Sequence, residues 1–297
     1  MSEFLRLDQA SIAARIVDGL LAGLVGAAAG LWPSLGGAEP NAAMPDLYVN
    51  RDTGWLPAGD DFLPPPSGPG PVTFDKRYPY VDNPTARRTG TQPTYRVADL
   101  DNPILQPWAA AQMRKANEEV LAGKVPFRAR ESCHPAGVPA FLIYNLVFPY
   151  RFLQTAKQVT IINPGGPELR RVYLNVPHSA HLTPSPYGES VGYYEGNNTM
   201  VVDTIGLSTA TFIDNYRTPH TDLLHVVERF KLTGGGETME VLVTVEDPGT
   251  FTVPWSGIQR FRRVREGPIE EAICAENNIN PFNFAVAPIP QADKPDF

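Results

Sequence analysis

One window of the chain, residues 170–230, constrains the fold most, because its apolar and polar residues alternate with a period of two. Val191–Tyr194 and Thr199–Ile205 are typical of two strands joined by Glu195–Asn198, where Gly and Asn tolerate the positive φ of a hairpin turn. Other strand-like segments are Phe141–Phe148, Gln158–Ile162, Arg170–Asn175, Leu223–Leu232, Thr238–Glu246 and Gln259–Arg265. Sequential strands with short turns predict a mainly β protein, an antiparallel meander that forms a β-barrel or a strongly bent sheet.

One helix is predicted over residues 107–122, since Pro107 suits a first turn and Gly123 supplies a stop. Residues 32–106 are rich in Pro and Gly and predict a long extended arm. The β core and its helix then occupy residues 107–265, and residues 266–297 form a tail that packs on the core. Aromatic residues in the arm either plug grooves of the core or reach a second copy of the chain, which would make a homo-oligomer.

The first 31 residues contain an apolar stretch, Ile16–Leu31, preceded by Arg6 and Arg15. This outline resembles a secretory signal, although Asp18 interrupts it, and the alternative is an apolar helix kept in the mature protein. The stretch is shorter than the about 20 residues that span a bilayer, so no stable membrane span is expected. A periplasmic or secreted location is therefore predicted, with the cytoplasm as the alternative.

Charge and cysteine content narrow the classes of partner. The formal net charge is −7 and the pI is about 5.3, which argues against nucleic acid, since phosphate binding needs a clustered basic face. Cys133 and Cys274 are the two cysteines, and they either form a disulfide in an oxidising compartment or remain separate buried thiols. No glycine-rich nucleotide loop precedes a helix, so no cofactor is predicted.

Two carboxylates are predicted to face the inside of the sheet. Asp203 shares strand parity with Val201 and Ile205, and Glu228 shares parity with apolar residues of its own strand, whereas His225 falls on the opposite, exposed face. A carboxylate on an apolar face must be paired, protonated or open to a cavity. An internal acid–base site is one interpretation. The other is structural pairing with arginine, for which Arg171, Arg217 and Arg229 are available.

Histidines occupy the loops next to these strands. His178 and His181 follow one strand, and His220 precedes the strand of Glu228. Prolines beside His178 and His220 fix the backbone and aim the imidazole, which both a general base and a metal ligand require. A metal site would use His178, His181 and His220 with Asp203 or Glu189, but His-x-x-His in a loop is a weak motif and no metal is predicted.

The combination of motifs resembles a largely uncharacterised bacterial family, often with export signals. Its features are an Arg-x-Ile-Tyr-Leu strand, a His loop, a Gly-x-Ser-x-Gly-x-(Trp/Tyr)-Glu-Gly-Asp-Thr-Leu-Val-Val-Asp-Thr block, a Pro-His-(Ser/Thr) loop and a Val-x-Glu-Arg-Phe strand. The corresponding segments here are Arg171–Leu174, Pro177–Ser179, Tyr187–Thr204, Pro219–Thr221 and His225–Phe230. The resemblance covers residues 102–278. It implies no particular reaction, but it gives weight to His178, Glu195, Asp203, His220 and Glu228.

This chain departs from that pattern at two positions. Tyr193 stands where relatives carry His, and Asn197 stands where the block usually has Asp. Asn197 preserves the turn, whereas Tyr193 would place a phenol where the relatives have an imidazole.

These residues favour an enzyme that performs cofactor-independent acid–base chemistry on a small, largely apolar molecule in a β-barrel cavity. The reaction would be an elimination, an isomerisation or a hydrolysis. His178 or His220 would be the base, and Asp203 or Glu228 would orient it or act as the acid. Residues predicted to contact the substrate are Glu189, Tyr193, Tyr194 and His181. The alternatives are a ligand-binding or structural protein with no chemistry, and a histidine–carboxylate metal site.

Overall fold

A computed structural model describes residues 45–47, 53–91, 94–124, 126, 129, 133–144, 148–165 and 168–265. The helices are α1 (Asn83–Thr89), α2 (Pro107–Leu121) and two 3₁₀ turns, Ala140–Leu142 and Gly234–Gly236. The strands are β1 (Thr53–Pro57), β2 (Arg151–Gln154), β3 (Gln158–Asn163), β4 (Glu168–Leu174), β5 (Glu189–Glu195), β6 (Thr199–Ile205), β7 (His225–Thr233), β8 (Thr238–Glu246) and β9 (Trp255–Arg265).

Nine strands form one sheet that curls into a nearly closed barrel. Their order is β1-β9-β8-β7-β6-β5-β4-β3-β2, so β1 and β2 are the two edges. Trp55 of β1 and Tyr150, just before β2, exchange backbone hydrogen bonds of 2.9 and 2.8 Å. This bridge joins the two edges and satisfies backbone groups that an open sheet would expose. The predicted mainly β, barrel-like fold is confirmed.

One strand pair departs from the meander. Every neighbouring pair is antiparallel except β4 and β5, which are parallel, with Tyr173 opposite Val191. Parallel neighbours need a crossover connection, because the chain must return to the end where the first strand began. Residues 175–188 make this return, and they are called the crossover loop below. They carry His178 and His181 across the outer face of the sheet.

The predicted helix is confirmed as α2, which contacts the turn between β8 and β9. Trp108 Nε1 donates to the Gly249 carbonyl at 2.5 Å, and Gln106 Nε2 donates to the Pro248 carbonyl at 3.2 Å. The prediction of a strand at Phe141–Phe148 was wrong in its described part, which is the first 3₁₀ turn and a bend. The apolar run there is buried without alternation, and periodicity alone cannot distinguish such a run from a buried turn.

The predicted arm does more than lie on the surface, because it supplies β1. Farther along it, the rings of Phe62 and Trp255 meet with their centroids 6.3 Å apart. Arg96 lies over the Tyr80 ring at 4.1 Å and forms an ion pair with Asp60 at 2.6 Å. The Phe62–Trp255 contact attaches the arm to its own core, and the Arg96 contacts join parts of the arm to one another. Association of the chain through the arm remains a prediction.

Some predictions concern residues beyond the described ranges. The segment 1–31 and the tail 266–297, including Cys274, lie outside them. Cys133 is disulfide-bonded, and Cys274 is the only other cysteine in the sequence. None of the helices in the described part of the chain is long and apolar enough to span a bilayer.

A buried ion pair lies inside the barrel. Arg170 and Glu228 are 1% and 0% exposed, and the Arg170 guanidinium donates to both carboxylate oxygens of Glu228. Its Nε donates to the Ser190 hydroxyl at 3.1 Å and its Nη2 to the Thr204 hydroxyl at 2.8 Å. Four strands, β4 to β7, are thereby tied together through polar side chains inside the barrel.

Removing the carboxylate of this pair should therefore be costly. Glu228→Ala should lower the free energy of unfolding by about 3–5 kcal/mol, because the Arg170 charge would stay buried without compensation. Glu240→Ala, which breaks the exposed pair with Arg260, is the matched control and should cost no more than about 1 kcal/mol. Urea denaturation of both variants measures the difference. Equal losses would contradict a structural role for the buried pair.

Candidate functional site

The crossover loop places an imidazole between two carboxylates on the outer face of the sheet. His178 Nδ1 lies 3.0 Å from Glu189 Oε1, and His178 Nε2 lies 2.9 Å from Asp203 Oδ1. Glu189 begins β5 and Asp203 lies in β6, so the loop residue bridges two strands. Both ring nitrogens of His178 are therefore engaged by carboxylates.

Asp203 also binds a second imidazole. Its Oδ2 atom lies 3.0 Å from Nε2 of His225, the first residue of β7. On the far side of the His225 ring, Nδ1 lies 3.7 Å from Oε2 of Glu246 in β8. A chain of alternating carboxylates and imidazoles thus runs over β5 to β8, and it is called the His–carboxylate chain below. Its members are Glu189, His178, Asp203, His225 and Glu246.

Strand register explains this convergence. Asp203 pairs with Val191 of β5 and Val227 of β7, so its side chain shares the outer face with those residues. Glu228 pairs with Val202 instead and faces inward. The prediction that Asp203 and Glu228 share one face was therefore wrong. Inside the barrel, Glu228 is bonded to Arg170, which was not among the arginines proposed to pair with it.

Partial burial distinguishes this site from a surface ion pair. The side chains of His178, Glu189, Asp203 and His225 are 18%, 23%, 13% and 12% exposed. Charged groups with this partial exposure interact more strongly than charged groups on an open surface, and a small solute can still reach them.

The two imidazoles favour their charged forms. Burial alone would lower the pKa of His178, but its bonds to Asp203 and Glu189 outweigh burial and raise that pKa above 6.5. The pKa of His225 is likewise raised, because the bond to Asp203 outweighs the effect of burial. Burial would raise the pKa of Asp203, yet the two histidines lower it from 3.8 to about 2. The chain therefore favours imidazolium groups between its carboxylates.

Ser179 completes one end of the chain. Its backbone N–H donates to Glu189 Oε1 at 2.7 Å, and its hydroxyl donates to Glu189 Oε2. These bonds and the bond from His178 lower the pKa of Glu189 below 4.5, against the opposing effect of burial. Glu189 is thus a hydrogen-bonding partner of the crossover loop, and its predicted contact with a substrate stays a prediction.

His220 lies apart from this chain. It is 4% exposed, with Nδ1 2.9 Å from the Thr221 carbonyl and Nε2 3.0 Å from the Thr211 hydroxyl. Burial lowers its pKa, which fits a neutral ring that donates from Nδ1 to the carbonyl and accepts at Nε2. Its contacts connect two loop segments.

The remaining candidates are dispersed. His181 is exposed on the crossover loop, and Tyr193 is half-buried on the outer face of β5, opposite Val201. Tyr194 points inward, is 8% exposed, and its hydroxyl accepts from Gln154 Nε2 at 3.2 Å. Of the eight predicted site residues, the structure joins only His178, Asp203 and Glu189 to one another by hydrogen bonds.

His225 was missed as a site residue, although its face was inferred correctly. The alternation of β7 places His225 on the face opposite to that of Glu228, and it shares the outer face with Asp203. The sequence analysis did not bring His225 and Asp203 together because it assigned Asp203 to the inner face. Among the described residues, no group of three or more His, Cys, Asp or Glu side chains has the arrangement of a metal site.

Two comparisons with known proteins found no relative of the chain. No protein-family model matches the chain, and a search of curated proteins found no match. The resemblance drawn from the motifs therefore stays a prediction, and the site is interpreted on its own geometry.

The chain should make stability depend on pH. The histidine contribution is complete below pH 6.5 and is lost as the pH rises through the raised pKa values, while the Asp203 contribution is complete above pH 3.8 and is lost toward about pH 2. The crossover loop should thus be held most firmly between about pH 4 and 6.5. Unfolding free energies of the wild type and Asp203→Asn, measured from about pH 2 to about pH 9, test this, and the difference between the two proteins should be largest between about pH 4 and 6.5. A difference that stays constant from about pH 2 to about pH 9 would contradict it.

Proposed function

We propose that the protein is a cofactor-independent acid–base catalyst of the lyase, isomerase or hydrolase type, with the His–carboxylate chain as its working site. One observation carries the proposal, namely that the Asp203 carboxylate binds two imidazoles at 2.9 and 3.0 Å. A carboxylate that orients an imidazole is a recurrent arrangement in proton-transfer catalysis. Here the arrangement is partly exposed, so a small substrate can reach it from the outer face.

His178 acts as the proton donor in this proposal. Its raised pKa favours the protonated ring, which suits an acid better than the base predicted from the sequence. Asp203, with its pKa of about 2, stays ionised and stabilises the imidazolium before transfer. After transfer His178 is neutral and can take a proton back from substrate or water.

His178 makes one hydrogen bond to Glu189 through Nδ1 and one to Asp203 through Nε2. A substrate can displace the bond to Glu189 at the lower cost. Glu189 keeps two further donors, the Ser179 N–H and hydroxyl, when it releases His178. Within the described part of the chain, the Asp203 carboxylate is bonded to the two imidazoles, so loss of the Nε2 bond would leave a half-buried carboxylate less satisfied. A substrate atom that accepts the proton would therefore take the place of Glu189 beside Nδ1.

Apolar side chains near the chain favour a largely apolar substrate. Tyr173 is 43% exposed and pairs with Val191, which itself pairs with Asp203. Val176 and Leu182 of the crossover loop are 47% and 37% exposed. These residues offer an apolar surface beside a charged reaction centre, the usual composition of a small-molecule site.

Deuterium exchange tests the proposal even though the substrate is unidentified. The protein is incubated with a metabolite extract in D₂O, and mass spectrometry follows new products and new carbon-bound deuterium. Wild type should change at least one small molecule, and His178→Gln and Asp203→Asn should abolish that change. The rate should fall as the pH rises through the His178 pKa, because the acid form is then lost.

Glu240→Gln is the matched control, since it neutralises an exposed carboxylate on β8 outside the chain and should leave turnover unchanged. Circular dichroism checks that each variant is folded. Identical extracts with wild type and His178→Gln would contradict catalysis at this site. Retention of an unchanged small molecule by both proteins would instead favour a ligand-binding protein.

An exported location belongs to the same proposal. The disulfide at Cys133 supports it, because disulfides persist mainly in oxidising compartments. Fractionation of cells that express the full chain, with thiol labelling of each fraction, should find the protein oxidised outside the cytoplasm. A reduced protein confined to the cytoplasm would contradict it.

A further inference from the structure

A polar cleft lies at the end of the barrel formed by the β5–β6 and β7–β8 turns. Its volume is about 450 Å³, within the range of small-molecule sites. The lining residues are Asp46, Asn197, Asn198, Leu232, Gly235, Gly236, Glu237 and Arg263. Asn198 directly precedes β6 and lies five residues before Asp203, so the cleft is about 17 Å from the His–carboxylate chain at the rise of a strand.

The wall of the cleft is rigid on the side of Arg263. Its guanidinium lies over the Trp55 ring at 4.8 Å, and its Nη2 donates to the Asp46 carbonyl at 2.9 Å. Its Nη1 lies 3.5 Å from the Asp46 carboxylate. Stacking and ion pairing hold the plane of the guanidinium in one orientation, so little conformational entropy is left to lose on binding.

Several polar groups of the cleft have unused hydrogen-bonding capacity. Arg263 Nε is buried and has no hydrogen-bond partner among the described residues. In the same part of the chain, the side chains of Asn197 and Glu237 make no hydrogen bond, and both are exposed. An amide and a carboxylate with unused hydrogen-bonding capacity thus line one concave surface.

Glycines open the opposite wall. Gly235 and Gly236 have φ of +66° and +93°, and a Cβ atom built on either would meet nothing within 4 Å. The loop therefore presents bare backbone to the cleft, which allows a ligand to approach the peptide groups closely.

We propose that this cleft binds a neutral polyhydroxylated molecule the size of a mono- or disaccharide. Each sugar hydroxyl both donates and accepts, which matches a lining of amides, carboxylates and a guanidinium. Leu232 is the single large apolar side chain in the lining, so an apolar ligand has little surface to bury. Asp46 and Glu237 outnumber Arg263 in charge, which disfavours an anion such as phosphate. The proposal is independent of catalysis at the His–carboxylate chain.

Backbone NMR of the deuterated full-length protein tests the proposal, since glycine amides fall in a well-separated spectral region. Glucose, galactose, maltose, cellobiose and myo-inositol are the probes, with inorganic phosphate, glycine and tetramethylammonium as comparison ligands. At least one polyol should give saturable shifts of the Gly234–Gly236 amides. Glu237→Ala and Asn197→Ala should each weaken that binding by about 3- to 10-fold, as expected for the loss of one hydrogen bond.

Lys231→Ala, next to Leu232 but outside the lining, is the control and should leave the affinity unchanged. Absence of saturable shifts with every polyol would overturn the proposal. Tighter binding of phosphate, glycine or tetramethylammonium than of any polyol would overturn the ligand class. Unaltered affinity in both cleft variants would overturn the location.

Discussion

The bond from one carboxylate to two imidazoles organises the outer face of this barrel. Asp203 can bind His178 only because the crossover loop passes above β5 and β6, and that path is imposed by the parallel pairing of β4 with β5. Had β4 and β5 formed a hairpin, a short turn would have kept His178 at the edge of the sheet. The topology of a single strand pair thereby decides whether this protein has a histidine site at all.

Two groups of charged side chains lie on opposite faces of the same strands and have different roles. The Arg170–Glu228 pair is fully buried, bidentate and bonded to two hydroxyl groups. The His–carboxylate chain is partly exposed, and its two imidazoles have pKa values raised above 6.5. A buried pair of the first kind favours one register of the strands. Only the second kind can exchange protons with a solute.

Sequence patterns were sufficient for the architecture and for part of the site. Alternation located β3 to β9, and the helix-start and helix-stop residues located α2 within one residue. The strand β1 was not foreseen, because it lies in a Pro- and Gly-rich stretch and pairs with β9 from the far end of the chain. Pairing between such distant segments leaves no local pattern in the sequence.

The face of Asp203 was misjudged for a physical reason. Val201 and Val202 are both buried, so β6 is covered on both faces and its alternation carries little information about which face points inward. Thr204 shares the inner face with Val202, and its hydroxyl accepts a hydrogen bond from Arg170. A polar residue on the inner face further obscures the alternation of apolar and polar residues in β6. In β7 the contrast is clean, since Val226, Glu228 and Phe230 are buried and His225 and Val227 are only half-buried. Parity reasoning succeeds there and fails on β6.

The ionisation of His178 tests the central claim most directly. Nitrogen-15 NMR of the imidazole rings, recorded as a function of pH, reports the pKa of each histidine separately. The His–carboxylate chain requires pKa values above 6.5 for His178 and His225, and both should fall in Asp203→Asn while His220 is unaffected. A His178 ring that titrates at or below 6.5, or that does not respond to the Asp203 substitution, would contradict the account.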